Sequence, residues 1–194
     1  GLVVGSRDQL AGLSDMEMSA AARAAQEKGL DGRFLLSLLN TTQQPALQSL
    51  ANRQTREDLF NAAWSRCEKQ DANDTRHIVT RLVSLRAEQA QLLGFADYAS
   101  WSIADQMAQT PQAALDFMRN IVPAATKRAQ REQEDIQQRL QAQYSGAKVQ
   151  AWDWNFYAEQ VKSERYSLDE AAVRPYFALN NVLERGVFYA ARAL

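Results

Sequence analysis

His77 and Cys67 are the only histidine and the only cysteine in the chain, so they bound what its side chains can do as chemistry. A zinc-hydrolase site on a helix needs two histidines one turn apart, as in H-E-x-x-H. His77 stands alone in DTRHIVTRL, so it reads as a partly exposed side chain near a helix start rather than a ligand. Cys67 and His77 flank the polar stretch Asp71–Asp74 and could approach as a nucleophile and its base. Yet WSRCEKQ carries no nucleophile-elbow or protease signature, and Cys67 reads as a free thiol on a helix. The carboxylates Glu57, Asp58, Glu132, Glu134 and Asp135 lie on polar helical faces, where solvation is the default. No Gly-rich phosphate loop is present. The densest aromatic group is Trp152, Trp154, Phe156 and Tyr157. It could form a stacking surface or the wall of a groove, or its alternate members could enter the core while Asp153 caps a helix; the second reading is preferred.

The elements that position these residues are helical. The chain has 194 residues with 32 Ala and 20 Gln but 8 Gly and 4 Pro, a helix-forming and turn-poor composition. An apolar share of 46% suffices for a core and argues against disorder. Lys+Arg (22) against Asp+Glu (23) leaves a net charge of -1, without the basic surplus of a nucleic-acid binder. One cysteine excludes an internal disulfide and fits a reducing, cytoplasmic compartment. The apolar run Phe34–Leu39 is broken by Ser37, too short to cross a membrane, and GLVVGSRDQL does not look like a signal peptide.

Along the chain, Ser14 and Glu17 have capping-box spacing and open a helix through Met16–Lys28, stopped by Gly29. Phe34–Asn40 is the one short strand candidate. After the polar Thr41–Pro45, with Pro45 at a helix's first position, a helical stretch runs to about Glu68 and buries Leu47, Leu50, Leu59, Ala63 and Trp64. The next helix carries Ile78, Leu82, Leu85 and Leu92 at helical spacing and ends at Gly94. A helix from Asp97 to about Ala108 has Tyr98, Trp101, Ile103 and Met107 as apolar positions. Thr110-Pro111 opens a long helix to about Tyr144, kinked at Pro123, whose polar half beyond Val122 is expected to face solvent. Beyond the Tyr144–Gln150 loop around Gly146, Asp153 caps a helix Trp154–Arg165. Ser167–Glu170 is a second capping box, opening a short helix that breaks at Pro175. A final helix from about Ala178 turns Val182, Leu183, Val187 and Phe188 inward and runs off Leu194 without a stop signal. With no initiator Met, no repeat and no linker, residues 1–194 read as a single helical region cut from something longer.

Several strings carry a resemblance. Ala151–Val161 (AWDWNFYAEQV) and Arg165–Phe188 (RYSLDEAAVRPYFALNNVLERGVF) resemble the W-D-x-x-[YF]-Y … [YF]-x-[LV]-D-[EQ] … Y-F-x-[LV]-x-x-V … G-[LV]-[FL] stretch of the thimet oligopeptidase family of zinc peptidases. Gln44–Arg66 is similar to its x-P-x-L-x-x-x-x-x-R-x-x-R-E-x-[LV] helix, and Gln89–Met118 to its L-L-G-[FY]-x-x-[YF]-A-x-x-x-[LI]-x-x-x-M-A helix pair. Leu13–Pro45 completes the match, which is closest to the bacterial dipeptidyl carboxypeptidase (peptidyl-dipeptidase) branch.

The resemblance implies an all-α, two-lobed fold around a deep channel. It implies Zn2+ held by the two His of H-E-x-x-H and a downstream Glu, with the motif Glu as general base and a Tyr/His set steadying the tetrahedral species. It implies short peptides as substrates, with dipeptides released from free C-termini. All those motifs lie C-terminal to the matched region. Residues 1–194 are therefore expected to supply no catalytic and no metal-ligating residue, to bind no Zn2+ themselves, and to be inactive channel-wall scaffold. Their partner would be the C-terminal catalytic half of the same protein, with no nucleic acid and no membrane; no substrate contact can be assigned. The alternative is a free-standing helical interaction module without catalysis.

Overall fold

In a computed structural model of the chain, residues 1–167 and 173–193 are described, without the side chains of residues 40–44 and 174. The fold is predominantly helical with one small sheet. β1 (Leu2–Val4) and β2 (Phe34–Leu36) pair antiparallel with Leu2 opposite Leu36 and Val4 opposite Phe34. The strand expected at Phe34–Asn40 is therefore shorter and has a partner that the sequence reading lacked, because a three-residue LVV segment carries too little alternation to register.

Ser14 accepts from the Glu17 N–H at 3.3 Å while Glu17 accepts from the Ser14 N–H at 2.8 Å, and this capping box opens α1 (Asp15–Gln26). α2 (Asn40–Ser49) begins before the polar run ends, so Pro45 lies inside it rather than at its first position. That near the helix start, the missing Pro45 N–H removes a single backbone bond. The helix does not continue to Glu68. It stops at Leu50, and Asn52 caps α3 (Arg53–Trp64) by accepting from the Thr55 N–H at 3.0 Å. Val4, Leu10, Leu13, Ala21, Leu36, Leu47, Leu50 and Leu59 form the first core, drawn from the sheet, the first three helices and the segments that join them. Ala63 is only half-buried, and Trp64, expected inside, is 75% exposed at the end of α3, stacked on Phe60.

α4 (Arg76–Leu92) ends before Gly94 at φ +82. α5 (Tyr98–Ile103), capped by Asp97 accepting from the Ser100 N–H at 2.8 Å, is shorter than expected, and Met107 lies beyond it in full contact with solvent. Thr110 caps α6 (Pro111–Gln143), with Pro111 in its first turn and Pro123 inside it. The half of α6 beyond Val122 faces solvent as far as Arg131, as expected, but Ile136 and Leu140 further along do not. Ile136 and Leu140 in the polar half pack with Tyr157 of α7 (Trp154–Tyr166) as a second core, while Leu115, Phe117, Met118, Ile121 and Val122 are exposed. Two well-spaced apolar residues suffice to seat one helix on another, and polar neighbours form ion pairs around the seam: Asp135 with Arg165 at 2.6 Å, and Glu164 with Arg139.

α2 packs on α7, which joins the two cores, whereas α4 packs chiefly on α5 and α5 on α6. Ser167 closes α7 in the left-handed region at φ +50; the rest of the expected capping box, through Glu170, lies outside the described residues. A 3-10 turn at Arg174–Phe177 contains Pro175. It is followed by α8 (Leu179–Val182), a π-helical turn at Leu183–Val187 and α9 (Phe188–Ala193). Val182, Val187 and Phe188, expected inward, are exposed, and Leu183 is half-buried; this segment packs mainly on itself. Among the described residues no helix is long and apolar enough to cross a membrane.

Candidate functional site

The residues singled out by chemistry are not brought together. His77 sits exposed on the first turn of α4. Cys67 is exposed too, but in a turn beyond α3 at φ +69 rather than on a helix, since α3 ends at Trp64 and the chain folds back. There the Cys67 carbonyl accepts from the Thr75 N–H at 2.9 Å. The turn is held by Asp74, whose carboxylate accepts from the Gln70 N–H and from Arg76 through both side chain and backbone. The Arg76 side-chain hydrogen bond is the main cause that keeps the Asp74 carboxyl far below the usual range. Among the described residues no three His, Cys, Asp or Glu side chains gather, so these residues do not fit a zinc ion.

What the fold does converge on is Asp153. The expected cap role is absent: no hydrogen bond runs from its side chain to the first turn of α7. Its carboxylate is instead fully buried and saturated. Oδ1 accepts from Arg53 Nε at 3.0 Å and Arg56 Nη2 at 3.2 Å, and Oδ2 accepts from Arg53 Nη2 at 2.7 Å and the Gln150 N–H at 3.1 Å. The two arginines lie three apart on α3, one helical turn, so both reach the same point. Burial is the largest single influence and pushes the Asp153 carboxyl up. The hydrogen bonds from Arg53, Gln150 and Arg56 together outweigh it and leave the group below its ordinary value. Sealed from solvent and fully hydrogen-bonded, with its carboxyl held below the ordinary value, Asp153 ties α3 to the start of α7. It is a clasp.

Arg56 does more than pair. Its Nη1 donates to the carbonyls of Leu50 at 2.7 Å and Ala51 at 3.1 Å, satisfying the end of α2 from the following helix. Its guanidinium lies 4.1 Å above the Phe156 ring, a cation–π contact in a desolvated setting. Arg53, on the outer side, reaches the Tyr144 ring at 5.7 Å. The aromatic group is thus divided. Tyr157 is buried, with its hydroxyl donating to Gln143 Oε1 at 2.9 Å and its pKa pushed up by burial. Phe156 is half-buried, edge-on to Tyr157 and beneath Arg56. Trp152 leans on Phe60 at 6.2 Å. Trp154 remains half-buried and lines a shallow cavity of about 230 Å3 between α6 and α7, walled by the Arg128–Glu132 and Arg165–Asp135 ion pairs. Tyr157 therefore enters the core with Phe156 half-buried against it, adjacent rather than alternate members of the group, and without the Asp153 cap that the preferred reading paired with them. The clasp itself escaped that reading: Arg53 and Arg56 carry no local signal of a partner 97 to 100 residues away.

A helical scaffold with a buried Arg–Arg–Asp clasp under the W-D-x-x-F-Y stretch defines a structural class rather than a reaction. The particular family is clear: the pattern of peptidase family M3 matches residues 46–194, and the chain belongs to that family. It is 60% identical over 194 residues to dipeptidyl carboxypeptidase of Salmonella typhimurium and 59% identical to the Escherichia coli protein of the same name, covering all of this chain and 28% of each relative. It is 32% identical over 185 residues to oligopeptidase A of Haemophilus influenzae, covering 93% of this chain and 27% of that protein. The chain thus spans little more than a quarter of the curated relatives it matches.

Proposed function

We propose that residues 1–194 are a non-catalytic scaffold region of a zinc-dependent peptidyl-dipeptidase, an enzyme that releases dipeptides from the free C-termini of short peptides. The observation that carries this is the 60% identity to a dipeptidyl carboxypeptidase along the whole chain, almost twice the 32% to oligopeptidase A. Zinc and the groups that attack the peptide bond are contributed by polypeptide outside these residues. This region holds part of the channel wall in place, with the clasp fixing α3 against α7. The enzyme works in the cytoplasm on peptides, with neither nucleic acid nor membrane as partner.

The test compares residues 1–194 with the full-length gene product, each with added Zn2+, on a free tripeptide and one blocked at its C-terminus. Dipeptide release from the free substrate by the full-length product alone is the expected result. Zinc-dependent release by residues 1–194 would overturn the scaffold assignment, and equal cleavage of the blocked peptide would overturn the exopeptidase one. The exposed apolar residues of α4 and α6 favour a second reading, a free-standing interaction module. It predicts a stable partner other than the rest of the peptidase.

A further inference from the structure

The two ends of α7 are held by different means. At its start, Trp154, Phe156, Tyr157 and Ala158 belong to the second core or pack against it, and Asp153 is clasped by α3 with no exposure to solvent. Its last turn, Ser163–Tyr166, is exposed. Two ion pairs cross from that turn to α6: Arg165 with Asp135 at 2.6 Å, and Glu164 with Arg139. Between the two ends the helices do not close on each other. The cavity of about 230 Å3 lies there, with Ile136, Trp154 and Val161 on its apolar side and the Asp135–Arg165 pair at its rim.

The four charged side chains of the crossing pairs are between 31% and 60% exposed. Each pair is therefore as weak as a surface pair and is screened as one. Arg128 pairs with Glu132 along α6, and Lys162 with Glu159 along α7, each within a single helix. The core contacts and the sealed Asp153 pairs at the start of α7 are shielded from dissolved ions. Salt thus acts unequally along one helix of 13 residues: strongly at its end, weakly at its start.

We propose that the last turn of α7 is a strap, latched to α6 by Asp135–Arg165 and Arg139–Glu164 and released as ionic strength rises, and that its release widens the cavity beside Trp154. The strap is independent of the reaction proposed above.

Hydrogen exchange on the full-length gene product at about 20 mM and about 500 mM NaCl tests it, since the screening length falls from about 20 Å to about 4 Å over that range. The amides of residues 163–166 should exchange about fivefold faster at high salt, and those of residues 156–158 should change less than about twofold. Asp135→Asn with Arg139→Gln removes the α6 half of both pairs while leaving the sequence of α7 and the net charge as they are. It should give the fast rate at 163–166 at either salt concentration. The exchanged pair Asp135→Arg, Arg165→Asp should restore the slow rate at low salt. Acrylamide quenching of Trp154, taken as the difference between the protein and Trp154→Phe, should rise with salt in step with exchange. Salt-independent exchange at 163–166, or a double variant that exchanges like the parent, overturns the proposal. So does equal acceleration at 156–158, which would mean that α7 opens as a whole. Quenching that stays constant while 163–166 accelerates overturns the link between strap and cavity.

Discussion

Removing the Asp153 carboxylate is the sharpest perturbation this structure offers. Asp153→Ala leaves the Arg56 guanidinium fully buried with no counter-charge, and breaking a buried pair in this way costs about 3–5 kcal/mol. Arg53 is different: its side chain is 29% exposed, and water can take over much of what Asp153 supplied. Arg53→Ala removes two of the four hydrogen bonds to the buried carboxylate, but water can reach that side, so it should cost about 1–2 kcal/mol. Asp153→Asn keeps the shape and one acceptor, but it too leaves Arg56 without a counter-charge and turns its amide N–H2 toward groups that donate, so it should cost about as much as Asp153→Ala. Urea unfolding followed by circular dichroism measures all three, and the expected losses are a large share of a total of about 5–15 kcal/mol. The pH dependence has a definite sign. The folded Asp153 carboxyl lies below its ordinary value, so its contribution is complete above the unfolded pKa near 4. It is lost as pH falls through the folded value. Asp153→Asn should accordingly flatten the acid limb of the stability profile while neutral pH shows the full deficit. An Asp153→Ala loss below about 1 kcal/mol, or an Arg53→Ala loss equal to it, would refute the assignment of the clasp as a buried, charge-balanced device.

Other substitutions test the remaining elements. Ser14→Ala removes the acceptor for the Glu17 N–H and should cost about 1 kcal/mol in the same unfolding assay. Leu59→Ala, in the first core with no solvent contact, should cost about 2–5 kcal/mol, whereas Leu82→Ala on the uncovered face of α4 should cost less than about 0.5 kcal/mol in residues 1–194. Gly12 adopts φ +95, and a Cβ there would strike the Ser49 carbonyl oxygen, so Gly12→Ala should lower the thermal midpoint by several degrees or more.

How legible the molecule was depended on the distance over which each signal acts. Ser14 and Thr110 are readable as caps because a cap needs only the next three residues. Gly94 and Gly146 were readable as breaks for the same local reason. Asp153 has the residue type and the place of a cap, but its carboxylate went to two arginines on another helix, and no local pattern reveals such a competition. In α6 the polar composition beyond Val122 hides two inward positions. Its periodicity marks an apolar stripe before Pro123 without saying that anything within residues 1–194 covers it, and two residues beyond, Ile136 and Leu140, proved enough to seat α7. The family strings were legible throughout because they are side-chain identities at fixed spacings. Their structural meaning at the W-D-x-x-F-Y stretch lies in the two arginines of α3, which Asp153 binds and one of which covers the Phe156 ring.

The clasp also bears on the order in which the chain assembles. Every member of the first core lies between Val4 and Leu59, and every member of the second between Ile136 and Tyr157. Each can collapse from contacts that are short in sequence. Arg56 and Asp153 are 97 residues apart, and bringing such a pair together costs about 4 kcal/mol of chain entropy before any reward. A transition state that forms either core can leave that cost for later. The packing of α2 on α7 and the Asp153 ion pairs are the contacts of long sequence separation that make the two cores one unit.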